Sequence, residues 1–353
     1  MSLYVLKFGG SSVAGIERMK HVAGIVSKFV KKSHKVVVVT SAMHGETDKL
    51  VLLSKSISVD IDREYDAIIS CGEQIAAGML ARTLQTTGIP AQSLSACQIP
   101  IFAEGSFGNA SITNINTEKI TKLLNSGIVA VVTGFQGINN NGDVITLGRG
   151  GSDATACALS YYINADECYI YTDVDGIYTG DPRIAINAKL IPEISYDEMF
   201  ELSLWGAKVL QYQSVEIAKK YNVKVRVLSS FSSGDGTLIT ENISNDERII
   251  GVTHSVNYNL VATSKKYVNF MKVDSNIYLT PKEFNIEGSV NVDVGTITVV
   301  GRGAHKMTTK FLNILKSLDI VPKFTIQRKL SVTFVVRHAQ VERGVNAVLD
   351  YVF

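Results

Sequence analysis

The sequence predicts an α/β protein, a largely parallel sheet sandwiched by helices, followed by a small α+β module. Three observations carry this reading. Short apolar runs without strict alternation recur up to about Thr240, as strands buried on both faces require. After the first of them, apolar residues fall near every third and fourth position, the mark of a core-facing helix. Near Ile250 the pattern changes to strand, helix, strand, strand, helix.

In chain order, Tyr4–Phe8 reads as the first strand, and Ile16, Met19, Ala23, Val26 and Val30 mark the helical face after it. Val36–Val39, Ile128–Thr133 and Tyr169–Thr172 read as further strands. In such sheets ligands bind where loops leave the carboxyl ends of the strands, so the chemistry is expected there. Farther on, Thr296–Val300 reads as a strand and Phe311, Ile314, Leu315 and Leu318 as a helix. Phe324–Gln327 and Ser331–Arg337 follow as strands, and Val341, Val345, Val348 and Val352 as a last helix. That order suits a ligand-sensing or dimerising module. With Ser244–Glu247 as linker, the expected domains are 1–243 and 250–353, the second divided into 250–294 and 295–353.

Composition narrows the function. A chain of 353 residues suits two domains, and 46% hydrophobic residues fill real cores. Lys and Arg number 35 against 33 Asp and Glu, so no electrostatic footprint for nucleic acid exists. The basic cluster Lys28 to Lys35 reads as a solvated helix end. Cys71, Cys97, Cys157 and Cys168 form no C-x-x-C pair, which argues against a zinc knuckle or redox motif and for a reducing cytoplasm. Most of them are expected as small core residues. The opening MSLYVLKFGG has neither a basic n-region nor a long apolar h-region, and no apolar run has the length of a membrane span. The six histidines show no metal or triad spacing, and no protein metal site is expected.

Three segments carry chemistry. In Lys7-Phe8-Gly9-Gly10-Ser11-Ser12, adjacent glycines let backbone N–H groups approach an anion, and the lysine neutralises a phosphoryl group. A plain turn with a surface lysine is the alternative. In Gly148-Arg149-Gly150-Gly151-Ser152-Asp153, a guanidinium suited to a carboxylate precedes a helix, and Asp153 is read as sharing two roles, capping that helix and orienting the lysine and hydroxyl groups. Thr172 to Arg183 offers hydroxyl, carboxylate, aromatic and arginine groups to a nucleotide, or is a structural loop built on Asp-Gly and Asp-Pro. Glu73, opening a small-residue helix, is read either as a helix-dipole partner or as a ligand. Thr47 is read either as a turn residue or as a ligand. No Gly-Lys dipeptide exists, so a Walker A loop is excluded, and no G-x-G-x-x-G is present.

Together these segments resemble the aspartokinases of the amino-acid kinase family. The matching pieces are KFGGSSV (7–13), SAMHGETDKL (41–50), CGEQIAA (71–77), VVTGFQG (131–137), TLGRGGSDATA (146–156), YTDVDGIYTGDPR (171–183), GAKVL (206–210), VEIAKKYNVKVRVLSSF (215–231) and GTLI (236–239). The resemblance implies the amino-acid kinase fold and ATP-dependent phosphorylation of the β-carboxylate of L-aspartate. Lys7, Gly9, Gly10, Ser11, Ser41, Thr172, Asp173, Tyr178, Asp181, Arg183 and Lys208 would bind ATP. Thr47, Glu73, Phe135, Arg149, Gly151 and Ser152 would hold aspartate, and Lys7, Asp153 and Lys208 would be catalytic. The cofactor implied is ATP with Mg²⁺ held mainly by the phosphates. An amino-acid effector, a cytoplasmic location and a homodimer through the C-terminal modules are also implied.

Departures from the family pattern are Ser11 in place of threonine, and Trp205, Tyr212 and Gln213 around an expected GAKVL helix. Only about the last 60 residues resemble a whole ACT-type module; 250–294 reads as a degenerate one, with Ser264-Lys265-Lys266 where a glycine-rich effector loop belongs. The alternatives are another small-molecule kinase of this fold, acting on glutamate or N-acetylglutamate, and a catalytically silent amino-acid sensor.

Overall fold

A computed structural model describes residues 1–241, 247–263, 270–274, 276–282 and 290–353. The chain forms two compact units, residues 1–177 with 209–241, and residues 178–208 with 242–353. Most of the Ser244–Glu247 linker and the Ser264-Lys265-Lys266 segment lie outside the described residues.

In the first unit, valine-rich runs that cannot alternate between core and solvent become interior strands. Leu3–Phe8, Lys35–Thr40, Val129–Thr133, Glu167–Thr172, Ala91–Leu94 and Val225–Ser229 pair in parallel, and Thr237–Thr240 runs antiparallel beside Val225–Ser229. The Leu3–Phe8 strand lies between Lys35–Thr40 and Glu167–Thr172, in the middle of the order. Helices Ile16–Val30 and Cys71–Thr86 cover one face, where Met19, Val22, Val26, Leu80 and Leu84 pack on Leu6, Phe8, Val38 and Val131. Truncating one such leucine to alanine costs roughly 2–5 kcal/mol. The other face lies against helix Gly151–Tyr162, buried along nearly its whole length as a stretch of small residues allows. Ile16 departs from the predicted helical face. It is the first residue of its helix, lies beyond the edge of the core and is 62% exposed.

A smaller sheet in this unit joins the hairpin Ile101–Ser106/Asn109–Ile115 to the short strands Gln136–Ile138 and Val144–Thr146.

The second unit holds an antiparallel sheet. Its order is Met271–Asp274, Ile277–Pro281, Ile249–Ala262, Val290–Gly301, Ser331–Arg337 and Phe324–Gln327. Helices Thr308–Ser317 and Val341–Val352 pack one face through Phe311, Leu315, Val345 and Val348, matching the predicted βαββα order. Trp205, just after helix Tyr196–Leu204, packs with Leu260, Leu279, Val294 and Val335. The strands from 249–282 thus continue the same sheet as the last 60 residues.

One local expectation is corrected. GAKVL (206–210) is not helical but links helix Tyr196–Leu204 to helix Tyr212–Lys220. Gly206 there has φ +123°, which a helix cannot accommodate. The cysteines divide evenly, Cys157 and Cys168 buried, Cys71 and Cys97 exposed, so only half are core residues.

Candidate active site

Lys7 is the penultimate residue of the central strand and points toward the helix that Gly151 opens. Its Nζ lies 2.6 Å from Oδ1 of Asp153, and both residues are 8% exposed. Gly150 caps that helix without a side-chain bond, so Asp153 is free of capping and serves as the partner of Lys7. The lysine amine also sits beside the Gly9 backbone, 3.6 Å from where a Cβ would be.

The loops after the central strand and its neighbour interlock. Ser41 N–H donates to Phe8 O (3.1 Å) and His44 N–H to Gly10 O (3.2 Å). A Cβ on Gly10 would lie 2.9 Å from Ala42 O, so glycine is what lets these two loops close on each other. Ser12 Oγ meets Ser230 Oγ at 2.7 Å, and Ser230 N–H donates to Thr172 O at 2.9 Å. Gly9, Gly10, Ser11, Ser41 and Thr172 are therefore gathered at the carboxyl ends of adjacent strands. Asp173 is exposed beside Thr172, whose hydroxyl donates to it at 3.1 Å.

Glu73 stands in the first turn of helix Cys71–Thr86 but is only 3% exposed. Its Oε1 accepts Ala42 N–H at 2.9 Å, while Oε2 is buried without a hydrogen-bond partner. Burial pushes its carboxyl up to about 7, opposed by the Ala42 bond and the charge of Lys7. A helix-dipole role alone would not place a carboxylate inside the protein. Thr47, half-buried, is in the first turn of helix Glu46–Lys55.

On the arginine loop, Ser152 packs against Gly134, and Phe135 lies against Gly151. Phe135 is held at φ +68°, an uncommon conformation for an aromatic residue and one found at ligand sites. Arg149 projects from this loop, exposed and with no hydrogen bond or ion pair among the described residues.

Tyr178, Asp181, Arg183 and Lys208 belong to the second unit. Arg183 grips Asp181 through Nη2 and Nε at 2.7 and 2.9 Å, and this holds the Asp181 carboxyl below the usual carboxylate range. Lys208 is exposed. Half-buried His254, which no sequence pattern flagged, feels the charges of Asp181, Arg183 and Lys208, though burial is what chiefly lowers its pKa.

Sequence reasoning also missed Asp66, Thr133 and Gln136. Asp66 is wholly buried, and Thr133 Oγ1 and Gln136 Oε1 are buried without partners. Only the polarity of Thr133 and Gln136, in the apolar context of VVTGFQG, could have singled those two out.

Residues 2–229 match the sequence profile of the amino acid kinase family. The chain belongs to that family. An aspartokinase of Rickettsia felis is 42% identical over 294 residues, covering 81% of this chain and 73% of the relative. An aspartate kinase of Pseudomonas fluorescens is 49% identical over 243 residues, 68% of this chain. The present chain spans only 59% of that relative's length. The fold of this amino acid kinase is also similar to that of Escherichia coli aspartokinase III, solved in complex with aspartate and ADP. The TM-score is 0.84 at 21% identity, over 98% of each chain. The Rickettsia felis and Pseudomonas fluorescens relatives both carry the aspartate kinase name, the family that the motifs resemble.

Proposed function

We propose that this chain transfers the γ-phosphoryl group of ATP to the β-carboxylate of L-aspartate. The observation that carries the reading is the buried Lys7–Asp153 pair beside the Gly9-Gly10 turn, with Glu73 and the Arg149 loop completing the first unit's polar groups. A β-carboxylate is already ionised at neutral pH, so its attack on phosphorus needs no general base. What remains is charge neutralisation and alignment.

Lys7 supplies a fixed positive charge to the phosphoryl group in transfer, and Asp153 keeps it aimed. In the Gly9-Gly10-Ser11 turn, Gly9 N–H is given to Tyr171 O at 3.2 Å, which leaves the N–H groups of Gly10 and Ser11, with the Ser41 hydroxyl, to face the phosphates, and Thr172 and Asp173 nearby. Tyr178, Asp181, Arg183 and Lys208 take the nucleotide roles that the family pattern gives them. Arg149 takes a substrate carboxylate bidentately, and Glu73 Oε2 accepts from the ammonium. Thr47, Phe135, Gly151 and Ser152 shape that pocket. Among the described residues no three His, Cys, Asp or Glu side chains cluster as metal ligands. On this reading Mg²⁺ would be carried mainly by the nucleotide phosphates, where it would neutralise charge on them.

No helix among the described residues is long and apolar enough to cross a membrane. We read the chain as a cytoplasmic biosynthetic enzyme acting on a free amino acid. The sheet of the second unit supports an ACT-like module that binds an amino-acid effector and pairs with a second copy. A buried carboxylate awaiting an ammonium favours a free amino acid over N-acetylglutamate, whose amide carries no charge.

The test is an ADP-release assay across aspartate, glutamate and N-acetylglutamate, repeated with candidate amino-acid effectors. Aspartate is expected to turn over fastest. Faster turnover on glutamate would overturn the substrate, and no turnover on any acceptor would favour the silent sensor.

A further inference from the structure

We infer that Asp66 is the positioning residue that sets the backbone of the Arg149 loop, an assignment that rests on Arg149 being the aspartate anchor. Asp66 lies in helix Arg63–Ile69 and is fully buried. Its Oδ2 accepts from Gly108 N–H (2.9 Å) and Thr146 N–H (2.7 Å), and its Oδ1 from the Thr146 hydroxyl (2.8 Å). Among the described residues no cation pairs with it. A buried carboxylate held by three neutral donors is costly unless every donor stays in place, so it selects one arrangement of the segments that supply them.

Those segments are the ones from which Arg149 is hung. Thr146 ends the strand Val144–Thr146, three residues before the arginine. Gly108 is the turn of the neighbouring hairpin, and its carbonyl oxygen lies 3.1 Å from where a Cβ on Gly148 would be. Gly148 itself has φ +69°. One carboxylate thus grips both the strand that feeds the loop and the turn on which the loop rests. On the far side, Ser214 Oγ donates to Gly150 O at 3.2 Å. Among the described residues the side chain of Arg149 has no partner to orient it, so its placement comes from this backbone. A displacement of about 1 Å at a substrate-holding group can cost on the order of 100-fold in rate.

Asparagine can replace Asp66 by turning its carbonyl oxygen to the two N–H groups and its amide to the Thr146 hydroxyl, which accepts as readily as it donates. Alanine cannot. The experiment measures kcat, both KM values and Tm for the full chain carrying Asp66→Ala, Asp66→Asn, Arg149→Ala and the double variant Asp66→Ala/Arg149→Ala. Asp66→Ala is expected to raise KM for aspartate by roughly tenfold or more with KM for ATP little changed, and Asp66→Asn to restore most of the loss. In the Arg149→Ala background, Asp66→Ala should add almost nothing to KM for aspartate, because its effect acts through the arginine.

Equal rises in both KM values, or effects of Asp66→Ala and Arg149→Ala that multiply, would overturn the assignment. Should Asp66→Ala fail to fold, Thr146→Val removes one donor only and is expected to raise KM for aspartate severalfold; an unchanged value would overturn the assignment too. An active wild type with an indifferent Asp66 defeats this inference alone. A wild type inactive on aspartate defeats the substrate reading first, and the assignment with it.

Discussion

Lys7 and Arg149 are the two cations of the first unit's site, and they are held in opposite ways. Lys7 is buried on a central strand and pinned by Asp153 at 2.6 Å. Arg149 is exposed on a glycine loop, with no partner among the described residues. The difference follows from what each is proposed to do. A charge that meets the transferring phosphoryl group must be in place before substrate arrives, since reorganisation would raise the barrier. An anchor for a diffusing amino acid must be reachable from solvent, so its precision is supplied by its backbone.

The largest effect is expected at the buried cation. Lys7→Ala should lower kcat by at least two to three orders of magnitude, the scale of losing one preorganised charge. It should also destabilise the fold by roughly 3–5 kcal/mol, because Asp153 is left buried and uncompensated. Adding Asp153→Asn should return much of that stability, read by thermal denaturation, and none of the rate. Recovery of rate in the double variant would remove the lysine from the chemistry.

A smaller effect is expected at Glu73. Its carboxyl, raised to about 7 by burial, is neutral below that pH and cannot serve the substrate ammonium as a charged partner. kcat/KM for aspartate should therefore fall about tenfold per pH unit below 7 and level off above it. The stability dependence has the opposite sign. A carboxyl whose folded pKa is raised stabilises the fold fully below its unfolded value, and that contribution is lost as pH rises through about 7. Glu73→Gln should accordingly stabilise the protein at pH 8 by on the order of 2–3 kcal/mol, change little at pH 4, and weaken aspartate binding. A pH-independent Tm difference would contradict this account of the buried carboxylate.

These contrasts explain what could be read from the sequence. The strands around Lys7 were legible because valine-rich runs have few other solutions, and the paired glycines beside the lysine made the cradle legible too. Asp153 reads from the sequence as both cap and lysine partner, and only the second role is found, since tertiary contact decides whether a first-turn carboxylate faces its own helix or another strand. GAKVL was misjudged because apolar residues beside lysine suit a helix, whereas Gly206 at φ +123° interrupts one. Asp66 left no trace: an aspartate in a charged helix looks solvated until the hairpin and strand that bury it are brought together from 42 and 80 residues away.

The most direct test of the division between the two cations is the steady-state kinetics of Arg149→Ala. The account predicts a rise of roughly 10- to 100-fold in KM for aspartate, as losing a charge-assisted bidentate contact implies, with KM for ATP and Tm close to wild type. A KM for ATP that rises as far as that for aspartate, or an unchanged KM for aspartate, would contradict it.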